Sequence, residues 1–172
     1  IQKEQMEKNS SIVVAGENWH HGVIGIVSSK VTDLYFKPSI LLGIEGDIAK
    51  GSGRSIPGFD LHDALCECGE CLEKYGGDEM AVGLSLKKEN LIPFQQKFEA
   101  IAKQHKIEEI IPELWIDKQI TLKDMTKEVM QDLEQLEPFG EGNKLPLFFY
   151  KNLKIDSIRA LSEGKHIKLT LK

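Results

Sequence analysis

The sequence GSGRSIPGFD occupies residues 51–60 and places one arginine among glycine and serine residues. Only two of the 22 basic residues in the chain are arginines, Arg54 and Arg159. A guanidinium group binds two phosphate oxygens at once, whereas a lysine ammonium is a point charge. Glycines let backbone N–H groups approach an anion, and Ser52 and Ser55 add hydroxyl donors. The stretch therefore predicts a phosphate-binding loop after a strand; the alternative is a hairpin of small residues with one solvated arginine.

Composition limits how such a site would work. The chain has 172 residues, of which 41% are hydrophobic, enough for one ordinary domain or two small ones. Its net charge of -5 argues against broad attraction to nucleic acid, so phosphate binding must be local. No apolar stretch approaches the roughly 20 residues that span a bilayer, which indicates a cytoplasmic protein with no membrane partner. The chain opens at Ile1 in a polar run, residues 2–5, typical of a connecting helix, so we expect a piece of a longer protein.

Hydrophobic patterning around the glycine-rich stretch alternates between strands and helices. It predicts strands at 11–15, 39–42, 48–52 and 80–86, and helices at 22–35, 60–75 and from 90 onward. Asp60 and Asn90 are the predicted N-caps, and Tyr75-Gly76-Gly77 is predicted to end the second helix. Together these elements predict an α/β domain, a sheet flanked by helices, over residues 1–113.

A second domain is predicted over residues 114–172. Strands are predicted at 116–122, 147–150, 153–158 and 166–171, with a helix at 125–136 and a rigid loop at 137–143. In the last strand Ile167, Leu169 and Leu171 alternate with polar residues, which predicts one buried face. A closed barrel of about five strands needs more residues than these, so we expect a partial, truncated β-barrel.

The cysteines Cys66, Cys68 and Cys71 form the pattern C-x-C-x-x-C, with His62 four residues before the first. On a helix these thiols point in different directions, and Cys68 falls on the apolar stripe with Leu61. Buried or incidental thiols are therefore favoured over a zinc site, and no metal is predicted to bind here. An odd number of closely spaced cysteines also gives no disulfide framework.

Several stretches resemble a known family. WHHGVIGIVSS at 19–29, GSGRSIPGFDLHDAL at 51–65 and the run from Tyr75 to Gly83 resemble the DHH-associated domain of the RecJ family, which belongs to the DHH phosphoesterase superfamily. LEPFGEGN at 136–143 and HIKLTL at 166–171 resemble the oligonucleotide-binding domain that follows it in that family. The resemblance runs in order over nearly the whole chain.

The resemblance implies a division of labour. Members of the family are exonucleases that degrade single-stranded DNA from the 5′ end in repair and recombination. They use Mn²⁺ or Mg²⁺ held by an N-terminal DHH domain, whose aspartate-rich motifs this sequence lacks. The chain is therefore expected to bind single-stranded DNA opposite the DHH catalytic domain of the same polypeptide, with no catalytic residue, cofactor or nuclease activity of its own.

The resemblance also implies which residues meet the substrate. The phosphate-binding set predicted from it and from the residue chemistry is Ser52, Gly53, Arg54, Ser55, His20, Gly76 and Gly77. Lys151 and Lys168 are predicted to extend a DNA track, beside the aromatic run at 148–150, although aromatic residues of small barrels are more often core.

Two positions carry open alternatives. His20 and His21 stand at a helix N-terminus, where one could face an anion or cap the helix. Asp78 stands where the family usually has histidine or a small residue, and an ionised carboxylate repels phosphate. It either meets a metal or basic residue of the catalytic domain or is a plain surface aspartate.

Two other functions compete with the exonuclease interpretation. One is a noncatalytic nucleic-acid-binding or scaffold module from a divergent DHH relative, which decayed upstream aspartate motifs would favour. The other is a phosphoesterase that acts on short oligonucleotides or small phosphate esters. The loop at 137–143 and the second domain count against that last alternative.

Overall fold

The computed structural model describes residues 6–140 and 142–172. The predicted connecting helix at 2–5 and Glu141 of the predicted rigid loop lie outside the described residues. The chain divides into two compact units, one ending at Pro112 and the other beginning at Glu113. Among the described residues, no helix is both long enough and apolar enough to cross a membrane.

The first unit alternates strands and helices. Its elements are β1 (Ile12–Glu17), α1 (His21–Tyr35), β2 (Ser39–Glu45), β3 (Ile48–Arg54), α2 (Leu61–Glu67), β4 (Lys74–Gly77), β5 (Ala81–Lys87) and α3 (Leu91–Gln104). The five strands form one sheet in the order β1-β2-β3-β5-β4. Strands β1 and β2 are parallel, and the other pairs are antiparallel. The predicted α/β sheet flanked by helices is confirmed.

The main core lies between the sheet and helices α2 and α3. Phe94 and Phe98 of α3 are fully buried and stack with ring centroids 5.8 Å apart. Phe59 meets Phe98 edge to face at 6.1 Å. Alternate residues of the strands, such as Leu42 and Leu86, complete this core, as the period of two requires. Helix α1 packs on the opposite face of the sheet.

Helix α1 is held on that opposite face by a buried cluster of hydroxyl groups. Ser39 of β2 meets Ser28 and Thr32 of α1 through oxygen–oxygen contacts of 2.9 and 2.7 Å. Thr32 Oγ1 also donates to the carbonyl of Arg54 at 3.3 Å. Because all three hydroxyls are buried, each hydrogen bond avoids an unsatisfied polar group. The cluster fixes α1 against the end of β3.

The predicted helix at 60–75 is wrong in its second half. Asp60 caps α2 as predicted, since its Oδ1 accepts from the N–H of Asp63 at 2.9 Å. The helix ends at Glu67, and a short 3-10 turn follows at Gly69–Cys71. Strand β4 then pairs with β5. Local propensity favoured continuation of the helix, but pairing with β5 draws the glycine-rich segment into the sheet.

Asn90 occupies the N-cap position of α3 as predicted, but its side chain does not cap the helix. Its side chain makes no capping hydrogen bond to α3 and instead donates to the carbonyl of Cys71 at 3.3 Å. A 3-10 turn at Lys88–Asn90 leads directly into the helix. Asn90 therefore joins two segments of the unit, a tertiary role that the helix pattern does not reveal.

The second unit contains shorter elements. They are β6 (Lys118–Gln119), α4 (Lys127–Glu134), β7 (Phe148–Phe149), β8 (Ile155–Leu161) and β9 (His166–Leu171). Strands β6 and β7 pair in parallel, and β8 and β9 pair antiparallel. Among the described residues of this unit, the two small sheets form a partial barrel that is not closed.

The predicted buried face of the last strand is wrong. Every residue of β9 is exposed, and Ile167 keeps 66% of its surface accessible. An alternating pattern buries one face only when a second layer covers it. In the described part of this unit, β9 pairs only with β8.

Gly77 and Gly76 offer a matched test of the β4–β5 turn. Gly77 has a φ of +140°, and a Cβ there would lie 2.1 Å from the carbonyl oxygen of Ala81. A Cβ on Gly76 would meet nothing within 4 Å. We expect Gly77→Ala to lower the free energy of unfolding by at least about 1 kcal/mol. Gly76→Ala should leave it unchanged or raise it by up to about 1 kcal/mol in urea unfolding. Equal stabilities of the two variants would contradict this turn geometry.

Candidate nucleic-acid interface

The first four of the ten residues of the predicted phosphate-binding loop are in fact strand. Residues 51–54 belong to β3, which pairs with β2 on one side and β5 on the other. In a strand paired on both sides the backbone N–H groups bond to the neighbouring strands. They are not available to an anion, so any phosphate contact must come from side chains.

Strand alternation separates the predicted residues onto two faces. Gly53 faces the core, where a Cβ would lie 2.8 Å from Cγ2 of Val82. Just beyond the strand, Ser55 is 5% exposed, and its hydroxyl donates to the carbonyl of Phe59 at 2.6 Å. Gly53 and Ser55 therefore serve packing and turn structure. The structure does not bring them to the exposed face with Ser52 and Arg54.

The exposed face contains a row of small residues. Ser52 of β3 pairs with Gly83 of β5, and Gly83 pairs with Gly76 of β4. A Cβ added to either glycine would meet nothing within 4 Å, so this part of the sheet is open. We call Ser52, Gly83 and Gly76 the glycine row. Glycine weakens a strand interior and often marks close approach of a ligand or another backbone.

Positive charge surrounds the glycine row. Register and alternation place Arg54, Lys50, Lys74 and Lys87 on the same face. None of the residues of β3, β4 or β5 is acidic. In the part of the chain that the structure describes, neither Lys50 nor Lys74 has a carboxylate within 4 Å, whereas Lys87 lies 3.9 Å from Glu89. We call the exposed side of these three strands the open sheet face.

Arg54 lies where α1 meets the open sheet face. Its Nη1 donates to Ser52 Oγ at 3.0 Å and to the carbonyl of Gly53 at 2.8 Å. Its Nη2 lies against Gly25, where a Cβ would be only 3.3 Å away. Among the side chains of residue 6 and residues 8–140 and 142–172, no carboxylate forms an ion pair with this guanidinium. The half-buried group is therefore positioned by neutral partners and keeps its charge unneutralised.

Sequence reasoning gave no role to Gly25, Gly83, Lys50 or Lys74. The sequence did mark Gly25 and Gly83 as unusual, because glycine inside a helix or strand costs about 0.5–1 kcal/mol of stability relative to alanine. The lysines carried none, since their common face depends on the register of β3, β5 and β4.

The two histidines of α1 have local partners. His20 is the N-cap, and its Nδ1 accepts from the N–H of Gly22 at 3.1 Å. His21 Nε2 lies 3.1 Å from a carboxylate oxygen of Glu45. Capping uses one ring nitrogen of His20, so only Nε2 remains for an anion.

Asp78 closes the turn between β4 and β5. Its Oδ1 accepts from the N–H groups of Met80 and Ala81, at 2.9 and 2.8 Å. The neighbouring Gly77 supplies the positive φ of the same turn. The carboxylate therefore stabilises the turn. This role differs from both alternatives predicted from the sequence, a partner in the catalytic domain and a plain surface aspartate.

The second unit holds the other predicted DNA contacts, all of them accessible. Lys151 Nζ lies 5.6 Å from the ring centroid of Phe149, within range of a cation–π interaction. Phe148 and Phe149 are 37% and 38% exposed. Lys168 lies on the exposed strand β9 and pairs with Arg159. These side chains are available to a strand of nucleic acid.

One group of residues in the described chain is spaced like a metal site. His62, Asp63 and Cys66 place one ligand atom each within 4.8 Å of one another. Mn²⁺ and Mg²⁺ prefer oxygen ligands, whereas this set offers imidazole and thiolate. The residues therefore do not fit either of those ions.

Comparison with known proteins gives two family matches. Residues 9–104 match the family model of the DHHA1 domain, and residues 116–172 match that of the RecJ OB domain. The single-stranded-DNA-specific exonuclease RecJ of Bacillus subtilis is 37% identical over 99% of this chain and 22% of its own length. The enzyme of the same name from Haemophilus influenzae is 32% identical over 90% of the chain and 28% of its own length.

A solved structure agrees with these matches. The crystal structure of RecJ in complex with Mn²⁺ from Thermus thermophilus superposes with a TM-score of 0.77 at 26% identity. The match covers 99% of this chain and 27% of the solved one. The chain thus spans about a quarter of the length of the relatives that it matches.

Proposed function

The chain belongs to the DHHA1 domain family and continues into a RecJ OB domain, and on that premise we propose that it is the substrate-binding portion of a 5′ to 3′ single-stranded-DNA exonuclease. Residues 1–113 would form the DHHA1 domain and residues 114–172 the first part of the OB domain. The open sheet face carries this proposal, because it gathers unneutralised positive charge on an acidic chain.

The open sheet face suits a sugar-phosphate backbone for two reasons. The glycine row lets a polymer lie against the sheet without side chains in the way. Arg54 and Lys50 stand four residues apart on one strand, about 13 Å along it. Together with Lys74 they provide cations at intervals along a strand of DNA, and such contacts make binding depend on salt.

Arg54 is the anchor in this proposal. Its guanidinium is oriented by Ser52 and by the peptide of Gly53, so little side-chain freedom remains to be lost on binding. A terminal phosphate has more charge and more acceptor oxygens than an internal diester and is the better partner for an unneutralised fork of donors. Holding the 5′ end would position the first phosphodiester for hydrolysis.

Hydrolysis itself is assigned to a DHH catalytic domain of the same polypeptide. That domain would supply Mn²⁺ or Mg²⁺ and the attacking water, as in two-metal phosphodiester hydrolysis. The present chain would contribute orientation, and the parent protein would act in DNA repair and recombination. A noncatalytic scaffold remains the competing function, and loss of the aspartate motifs of the catalytic domain would favour it.

Replacing Arg54 tests the anchor. Loss of a charge-assisted hydrogen bond costs about 1.5–3 kcal/mol, so Arg54→Ala should weaken binding of 5′-phosphorylated single-stranded DNA by roughly 10- to 100-fold. Fluorescence anisotropy at fixed salt gives the affinity. Arg54→Lys keeps the charge but loses the planar fork of donors, so it should recover only part of the affinity. Full recovery in Arg54→Lys would show that Arg54 contributes only its charge.

A substitution at Gly83 tests the glycine row without disturbing the fold. Since a Cβ at this position meets nothing within 4 Å, Gly83→Val should leave the melting temperature unchanged or higher. Its side chain would stand on the open sheet face and weaken DNA binding by about tenfold, or 1.4 kcal/mol. Unchanged affinity in a folded Gly83→Val variant would show that the DNA does not bind on the open sheet face.

The division of labour has its own test. The 172-residue chain alone is expected to release no nucleotides from 5′-labelled single-stranded DNA in Mn²⁺, while it binds the same DNA weakly and in a salt-sensitive manner. Product analysis on a denaturing gel measures this. Metal-dependent hydrolysis that copurifies with the chain and disappears in Arg54→Ala would contradict the assignment of catalysis to another domain.

A further inference from the structure

A second cluster of chemically active side chains lies on α2, away from the contacts of Arg54. Cys66 Sγ is 3.7 Å from His62 Nδ1, and His62 Nδ1 is 4.0 Å from Asp63 Oδ1. Residues four apart on a helix share a face, which brings His62 and Cys66 together. Asp63 joins them because its side chain turns toward the imidazole.

These distances are close to those of a coordinated cation. Zinc binds thiolate at about 2.3 Å, imidazole at about 2.0 Å and carboxylate at about 2.0–2.2 Å, in tetrahedral geometry. Two such ligand atoms are then separated by roughly 3.3–3.6 Å. Two of the three separations are 3.7 and 4.0 Å, and the third lies within 4.8 Å. Closing on an ion therefore requires shifts of about 1 Å or less in side chains that are exposed or half-buried.

The other two cysteines are unsuited to the same ion. Cys68 is fully buried and Cys71 is 7% exposed, whereas Cys66 is exposed. A thiol enclosed in the core cannot reach an ion on the exposed side of α2, so Cys68 serves packing. The structure thus separates the C-x-C-x-x-C pattern into two packing residues and one accessible thiol.

We propose that His62, Asp63 and Cys66 form a binding site for Zn²⁺ or a similar borderline-soft divalent cation, with the fourth position open to water. The cation replaces the hydrogen bond between His62 and Cys66, and the thiol proton passes to the buffer as the metal–sulfur bond forms. Oxidation states do not change. This donor set distinguishes the site from one for Mn²⁺ or Mg²⁺.

Tyr75 of strand β4 lies next to the proposed site on α2. Its ring centroid lies 6.1 Å from that of His62. Because Tyr75 directly precedes Gly76 in β4, an ion held by His62 would lie beside the strand that ends the glycine row.

Cobalt provides the direct test, because Co²⁺ substitutes for Zn²⁺ and gives thiolate-to-metal charge-transfer absorption. The chain, kept reduced with a phosphine, is titrated with Co²⁺ and then with Zn²⁺. We expect one equivalent of Co²⁺ to produce the charge-transfer band and Zn²⁺ to abolish it. Cys66→Ser should remove the band, and His62→Ala and Asp63→Asn should each weaken Co²⁺ binding by about tenfold or more.

The matched control is His166→Ala, which removes an exposed histidine from β9 and should leave the titration unchanged. The melting temperature of each variant reports whether it folds, and none of the substituted residues is fully buried. Absence of the band, its persistence in Cys66→Ser, or an equal loss in His166→Ala overturns the site. DNA binding by Arg54→Ala is independent of these outcomes, so the two proposals fail separately.

Discussion

The register of β3 between β2 and β5 is the constraint on which the rest of the first unit depends. Because Ser52 lies opposite Gly83, and Gly83 opposite Gly76, one exposed row crosses three strands. The same pairing turns Gly53 toward the core, where it fits between Val82 and Leu61. A shift of one residue would exchange the two faces and bury Arg54 among apolar side chains.

Helix α1 packs against the end of β3 and helps to position the guanidinium of Arg54. The hydroxyl cluster of Ser28, Thr32 and Ser39 fixes the helix against the end of β3, and Gly25 allows Nη2 of Arg54 to lie against the helix surface. Neutral oxygens orient the group from the other side. A carboxylate partner would have oriented it as well, but it would also have competed with phosphate for the charge.

Charge is distributed unevenly over the chain, which explains how a chain with a net negative charge could bind a nucleic acid. The net charge is -5, yet β3, β4 and β5 contain no acidic residue. Many acidic residues lie instead on helices and turns, where Asp60 and Asp78 accept hydrogen bonds from backbone N–H groups. At physiological ionic strength the Debye length is about 8 Å, so a local cationic face acts largely independently of distant carboxylates.

The sequence by itself determined the strands and helices with strong hydrophobic periodicity. Strand β1, helix α1 and the β2–β3 hairpin lie close to their predicted positions because apolar residues recur at periods of 2 and 3.6 regardless of the partners they meet. It also singled out Arg54, since one arginine among glycines is visible without any structure. The change of pattern after Pro112 indicated two domains, and family resemblance added the binding roles of Gly76 and Gly77.

Only the tertiary structure decided the faces, the ends and the partners of those elements. Gly51 to Arg54 has the composition of a loop, but pairing on both sides makes it a strand, and Tyr75 to Gly77 becomes a strand through its pairing with β5. Lys50 and Lys74 share a face only through this register. Such properties depend on residues far apart in sequence, and no local pattern of propensity or spacing contains them.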